Sequence, residues 1–304
     1  MHGRLLVSIK LGNVISNRSC DLSGLQPCNH WESDTRIFLH LAHAAAQGHR
    51  TFYIRTVDSD VVVLAIRLFT TLGLKHLWVG IGTEKKFPEI AIHDICSNLG
   101  SSKSQKLPLF ISCTDWTWYD FTVSCCGKKS AWALWQMPNL TETLAALTND
   151  PMLFSMDSVH MQRLERFVAI MYSKGCGLAT VNEVRRRLFS GGIKNLQNNP
   201  PTQGALFQHI KRALLQASFY CNQATSVCQR IPDHSDWSWQ KDGADILSPY
   251  WTSLANASKA CSIILHCRCV NSCTEIVSVD VLQFVALHCA NVEVDVPIML
   301  TCER

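Results

Sequence analysis

Between residues 32 and 99 the hydrophobic pattern switches repeatedly between helical and extended periods. Ile37, Leu41, Ala44 and Ala45 recur at helical spacing with Phe38 alongside, and Gly48 follows as a stop signal. Residues 51–57 read as a short strand, with Phe52, Ile54 and Val57 apolar and Tyr53 beside them. That strand ends in Asp58-Ser59-Asp60, and an apolar run starts at once, predicting a helix over 61–72 that stops near Gly73. A second strand is predicted at 76–81, bounded by Gly80 and Gly82, then a turn at 83–87. A helix over 88–99 has Pro88 near its start and Gly100 past its end. Strand, helix, strand, helix in this order predicts a parallel sheet covered on both faces.

The flanks are less regular. Residues 5–11 read as one strand in a short head that continues into a loop with Gly24 and Pro27. From 131 to 215 the chain is mostly helical, with periodic stretches at 140–147, 164–171, 181–189 and 205–215. Beyond 218 periodicity fades, and Trp237, Trp239 and Trp251 punctuate a loop-rich stretch with Pro232 and Pro249. These tryptophans read as packing anchors under long loops rather than base-stacking platforms. The pattern divides the chain into a head over 1–29, a main domain over 30–217 and a loop-rich extension over 218–304.

Composition adds bounds. Across 304 residues, 47% are hydrophobic, ample for a core, and the formal net charge of +4 permits nucleic-acid contact without requiring it. The 15 cysteines are scattered, which together with the absence of a clear secretory signal predicts reduced thiols and a nuclear or cytoplasmic location. The apolar stretch 5–15 is broken by Ser8, Lys10 and Gly12, and the stretch 276–300 carries Asp280, Glu293 and Asp295, so no membrane span is expected.

The acids fall at element ends. Glu32 and Asp34 precede the first helix, and Asp58 and Asp60 close the first strand. Strand ends at the carboxyl edge are where open α/β sheets hold ligands, and residues two apart in extended chain share a side. Two carboxylates ~4 Å apart repel by roughly 4 kcal/mol at an effective dielectric of about 20. Gathering four therefore calls for a proton or a cation, with Mg²⁺ or Mn²⁺ matching oxygen donors. The plainer alternative makes Asp60 a helix N-cap and Asp58 a solvated loop residue.

Glu-x-Asp at a helix start, a glycine, a strand, then Thr-x-Asp-x-Asp and an apolar helix resembles the internal motif of the flap-endonuclease and xeroderma-type nucleases of the PIN-like superfamily. Residues 32–66, ESDTRIFLHLAHAAAQGHRTFYIRTVDSDVVVLAI, more closely resemble a group of uncharacterised animal proteins carrying EADTR and TxDTDVxVL, many of them similar to mobile-element products. LPLF at 107–110, GKKSAW at 127–132, VNEVRRRLF at 181–189 and PPTQGALFQHIKRALLQA at 200–217 match that group in the same order. The similarity runs from about residue 28 to about residue 259.

The resemblance implies a PIN-like parallel sheet flanked by helices, with a helical extension and a Cys-containing tail. It implies metal ligation by Glu32, Asp34, Asp58 and Asp60. Anchoring on Thr122-Val123-Ser124 and Gly127-Lys128-Lys129 makes Asp120 a further ligand, with Asp115 as the alternative. The glycine expected before that aspartate is lost, and Trp118 and Tyr119 stand there. The family's first acidic motif has no counterpart, since Asp21 is the only acid before Glu32.

Lys128 and Lys129 at a helix start suit a phosphate, or simply a solvated helix end. Arg185, Arg186 and Arg187 would make a basic face for a nucleic-acid backbone, or a solvated face, and His209, Lys211 and Arg212 add cations. Cys261, Cys267, Cys269 and Cys273 resemble the opening of the group's Cys-rich tail, with spacing that could wrap Zn²⁺ and His266 as a substitute ligand. Cys289 and Cys302 are isolated, so the zinc pattern stops short.

Beside a zinc-organised interaction protein, which rests on the cysteine tail alone, two functions follow. One is a metal-dependent phosphodiester hydrolase acting on nucleic acid. The other is a non-catalytic, mobile-element-derived binding or interaction module, favoured by the missing first motif, the altered turn and the shortened cysteine pattern.

Overall fold

A computed structural model describes residues 7–10, 13–16, 19, 21–82, 88–114, 128–173, 177–190, 199–243 and 246–252. The apolar stretch near the start is an antiparallel hairpin rather than one strand. Its arms are β1 (Val7–Lys10) and β2 (Asn13–Ser16), with Val7 opposite Ser16.

Gly48 and Gly73 take positive φ, 95° and 60°. Without a Cβ they adopt this conformation freely, and each ends a helix and turns the chain into a strand. Helix α1 (Ser33–Ala46) thus leads back into β3 (Thr51–Thr56), and α2 (Asp60–Thr71) into β4 (His76–Ile81). The face of α1 that enters the core is Phe38, Leu41 and Ala45; Ile37 and Ala44 are only half-buried. Leu39, on another side, packs with Val14 and Leu25, which seats the head of the chain on α1.

β3 and β4 are parallel, with Thr51 opposite His76. The residues after Pro88 correct the expected helix. Glu89–Ala91 forms β5, antiparallel to β4 with Gly80 opposite Glu89, and only then does α3 (Ile92–Leu99) begin. Three residues join the sheet because β4 has a free edge there, and pairing outcompetes a weak helical period. The fold is mixed α/β, and the sheet is a small mixed one of order β3-β4-β5 rather than all-parallel.

The remaining helices join this layer through the first of them, which packs on α2 and α3. They are α4 (Ser101–Thr114), α5 (Lys128–Leu134), α6 (Pro138–Asn149), α7 (Val159–Tyr172), α8 (Val181–Ser190) and α9 (Gln203–Leu214). One continuous core runs from Phe38 to Trp237. α9 passes without a break into a π-helical turn, Leu215–Tyr220, so the boundary drawn at 217/218 falls inside a helical run. Trp237 packs on Phe219 with ring centroids 5.2 Å apart, in the anchoring role expected of it. The head is tied to the later segment as well: the Asn29 side chain donates to the Gln229 carbonyl (2.8 Å) and accepts from its N–H (2.6 Å).

α8 begins with a capping box. Thr180 Oγ1 accepts from the Glu183 N–H at 3.3 Å, and Glu183 Oε2 accepts from the Thr180 N–H at 3.1 Å. Below it, Glu165 is 2% exposed. Its carboxylate accepts from the Val181 N–H (3.0 Å) and from Gln203 Nε2 (2.9 Å), binding α7 to the starts of α8 and α9. Burial pushes its pKa up, and those two hydrogen bonds partly offset the shift. Glu165→Ala strands two donors and is expected to cost about 2–3 kcal/mol in urea unfolding. Glu165→Gln, which keeps one acceptor oxygen, recovers part of the loss.

Among the described residues no helix is long and apolar enough to cross a membrane. Cys28, Cys96, Cys113, Cys221 and Cys228 carry free thiols.

Candidate functional site

The geometry that gathers the acids follows from lengths. Fourteen helical residues at ~1.5 Å each and six extended residues at ~3.3 Å each both span roughly 20 Å. α1 and β3 run antiparallel across the short Gly48 turn. The start of α1 therefore comes level with the end of β3, and Glu32 and Asp34 meet Asp58 and Asp60 at one sheet edge. All four line a cavity of about 690 Å³.

Each pair is held locally. His30 is buried; its Nε2 donates to the Ser226 carbonyl at 2.6 Å, which leaves Nδ1 to accept from the Thr35 hydroxyl at 3.0 Å. Arg36 donates to the His30 carbonyl at 3.0 Å. This clamp fixes the turn that carries Glu32 and Asp34. At the other pair, Thr56 Oγ1 accepts from the Asp58 N–H at 3.0 Å, and Asp58 Oδ1 accepts from the Asp60 N–H at 2.9 Å. The expected cap role of Asp60 is thus corrected. Ser59 occupies the N-cap position without a side-chain bond, Asp60 opens the first turn, and the capping acceptor is Asp58.

Burial raises the Glu32 pKa most, followed by the charges of Asp34, Asp60 and Asp58. Burial also raises that of Asp34, with Asp58 adding to it. The four carboxylates therefore share one electrostatic field. No Lys or Arg among the described residues forms an ion pair with Glu32, Asp34 or Asp58. No three His, Cys, Asp or Glu side chains among the described residues are grouped to enclose a metal ion. The donor chemistry still fits a hard divalent cation held by one or two carboxylates, with water completing its shell as Mg²⁺ prefers.

The arginine run does not act as one face. Adjacent helical residues point about 100° apart. Arg185 is partly buried, lines the cavity and donates to the Pro200 carbonyl, whereas Arg186 and Arg187 are exposed. Burial lowers the Arg185 pKa, although a guanidinium stays charged. Lys128 and Lys129 open α5, a helix of only seven residues. Asp115, Asp120, Cys261, Cys267, Cys269 and Cys273 lie outside the described residues.

Of the rest of the cavity wall, only His209 and Arg212 were anticipated, as added cations. α9 lines it with Ala205, His209, Arg212 and Ala213, residues spaced to share one helical face. Thr202, the N-cap of α9, and Gln216 in the π-helical turn extend that line at either end. His209 Nε2 donates to the Ser112 carbonyl at 3.1 Å, a structural use. Trp239 and Trp251 also line the cavity, and Trp31 stands at it 91% exposed. Cys221 reaches the wall, but burial pushes its thiol up to about 12, which removes it as a nucleophile near neutral pH.

Compared with protein-family models, curated proteins and solved structures, the chain gives no match.

Proposed function

We propose that this chain is a nuclease-like domain whose cavity takes a phosphodiester of a nucleic acid beside a divalent cation. The observation that carries the reading is the convergence of Glu32, Asp34, Asp58 and Asp60, from the start of α1 and the end of β3, on one cavity. One or two of these carboxylates, with water completing the shell, would hold Mg²⁺ or Mn²⁺. When bound, such an ion supplies charge neutralisation and an activated water for in-line phosphoryl displacement. The chain's own part is positional. The His30 clamp and the Asp58 turn hold the carboxylates before any ligand arrives. Arg185, fixed by the Pro200 carbonyl, offers a guanidinium to a phosphate oxygen. The PIN-like fold, the nucleic-acid partner and hydrolysis itself belong to this proposal.

A second reading, binding without hydrolysis, is favoured by the loss of the glycine expected before Asp120, where Trp118 and Tyr119 stand. One assay separates the two. Purified protein in Mn²⁺ is incubated with single-stranded, flap and duplex substrates, beside an Asp58→Asn, Asp60→Asn double variant. Hydrolysis predicts cleavage that falls by at least ~100-fold in the variant. Binding without cleavage in both proteins supports the second reading. Equal cleavage by both proteins contradicts the assigned site.

A further inference from the structure

One part of the cavity wall is built from two tryptophans laced to one arginine. Arg212, 7% exposed, donates to the Tyr250 carbonyl at 2.8 Å and to the Ser238 carbonyl at 3.4 Å. The Tyr250 N–H in turn donates to the Ser238 carbonyl at 2.8 Å. The residues bonded this way directly precede Trp251 and Trp239, so a single guanidinium positions both indole-bearing segments. Those segments pair as β6 (Trp239–Lys241) and β7 (Leu247–Pro249). Arg212 also lies over the Trp251 ring, 5.3 Å from its centroid, while Trp251 remains 44% exposed.

Indoles carried on backbone that one guanidinium holds match a flat, π-rich ring carrying an anion. At about 690 Å³ the cavity is of ordinary small-ligand size, enough for one nucleotide and too small for a base-paired duplex. A base inside a duplex has both faces covered, so only an unpaired base can reach such a surface. We propose that the Trp239–Trp251 wall of the cavity receives the base of one unpaired nucleotide, its phosphate directed toward Arg185 and the carboxylates that line the same cavity. The proposal rests on the phosphodiester reading above and adds the ligand class: an unpaired nucleotide, supplied by a strand or free in solution.

The test is fluorescence anisotropy of a labelled single-stranded oligonucleotide, in Ca²⁺ and again in EDTA. The proteins are wild type, Trp251→Ala, Trp251→Phe and the Asp58→Asn, Asp60→Asn double variant. Trp251→Ala is expected to weaken binding about 5- to 150-fold, the equivalent of one base–indole stack, with Trp251→Phe recovering most of it. A blunt duplex of the same sequence is expected to bind more weakly. Competition by a nucleoside monophosphate at comparable concentration assigns the pocket to free nucleotides, and competition only by oligonucleotide assigns it to strands. Unchanged binding by Trp251→Ala, or equal binding of duplex and single strand, overturns the proposal. Trp251-dependent binding without Mn²⁺-dependent cleavage would remove hydrolysis and leave this inference standing. Cleavage with a KM unmoved by Trp251→Ala would do the reverse.

Discussion

A Phe110→Ala variant is expected to lose about 3–5 kcal/mol of stability, because the ring sits where several helices meet and its removal leaves a cavity. Phe110 is 2% exposed. Its ring centroid lies 3.9 Å from that of Trp135, 6.0 Å from Phe167 and 6.3 Å from Trp132, which brings α4, α5 and α7 to one point. Pro108 sits inside α4, two residues earlier. A proline there removes one helical donor and crowds the preceding turn, so α4 keeps its place through side-chain packing more than through its own ladder. In a chain of this size each kcal/mol moves Tm by about 2–4 °C, so a drop of roughly 10 °C is expected. Phe110→Leu, which refills most of the volume, should lose much less. A Tm within 2 °C of wild type for the alanine variant would contradict the packing described.

The second large effect concerns the acids. Mn²⁺ at about 100 times its Kd is expected to stabilise the wild type by roughly 2.7 kcal/mol, or about 5–10 °C in Tm. Glu32→Gln should lose most of that gain, yet in EDTA at neutral pH it should be the more stable protein by about 1 kcal/mol. The sign follows from protonation. The Glu32 and Asp34 pKa values are raised in the folded protein above the ordinary 4.5 and 3.8. The folded state therefore binds protons more tightly than the unfolded chain. This contribution favours folding as pH falls toward the ordinary carboxylate range, and it is lost as pH rises through the raised values. Above them both groups are ionised, and their repulsion opposes folding unless a cation or a neutral glutamine relieves it. Differential scanning calorimetry of both proteins, with and without Mn²⁺, checks the crossover.

The parts of this arrangement that were legible in the chain depend on local rules. Gly48 and Gly73 ended their helices where periodicity required, and β3, α2 and β4 lie within a residue or so of their expected bounds. The convergence of Glu32 and Asp34 with Asp58 and Asp60 was readable because a helix and a strand of matched length, joined by a tight turn, have only one way to lie. What escaped depends on tertiary partners. β5 forms because an edge of β4 accepts it, which no period in residues 88–99 announces. Arg185, Arg186 and Arg187 look like one basic patch in sequence, but the helix turns them in different directions and only Arg185 reaches the cavity. Arg212 and Trp251 stand 39 residues apart and meet because Arg212 bonds the carbonyl of Tyr250. The spacing of Ala205, His209 and Arg212 along α9 was the available signal, since a cation amid small residues on a helical face marks a lined cavity.

Titration of the folded protein with Mn²⁺, followed by water-proton relaxation, tests the shared carboxylate field most directly. Saturable binding that disappears in the Asp58→Asn, Asp60→Asn double variant and weakens in Glu32→Gln is the predicted result. An absence of saturable binding in the wild type, or binding that all three proteins share, would contradict it.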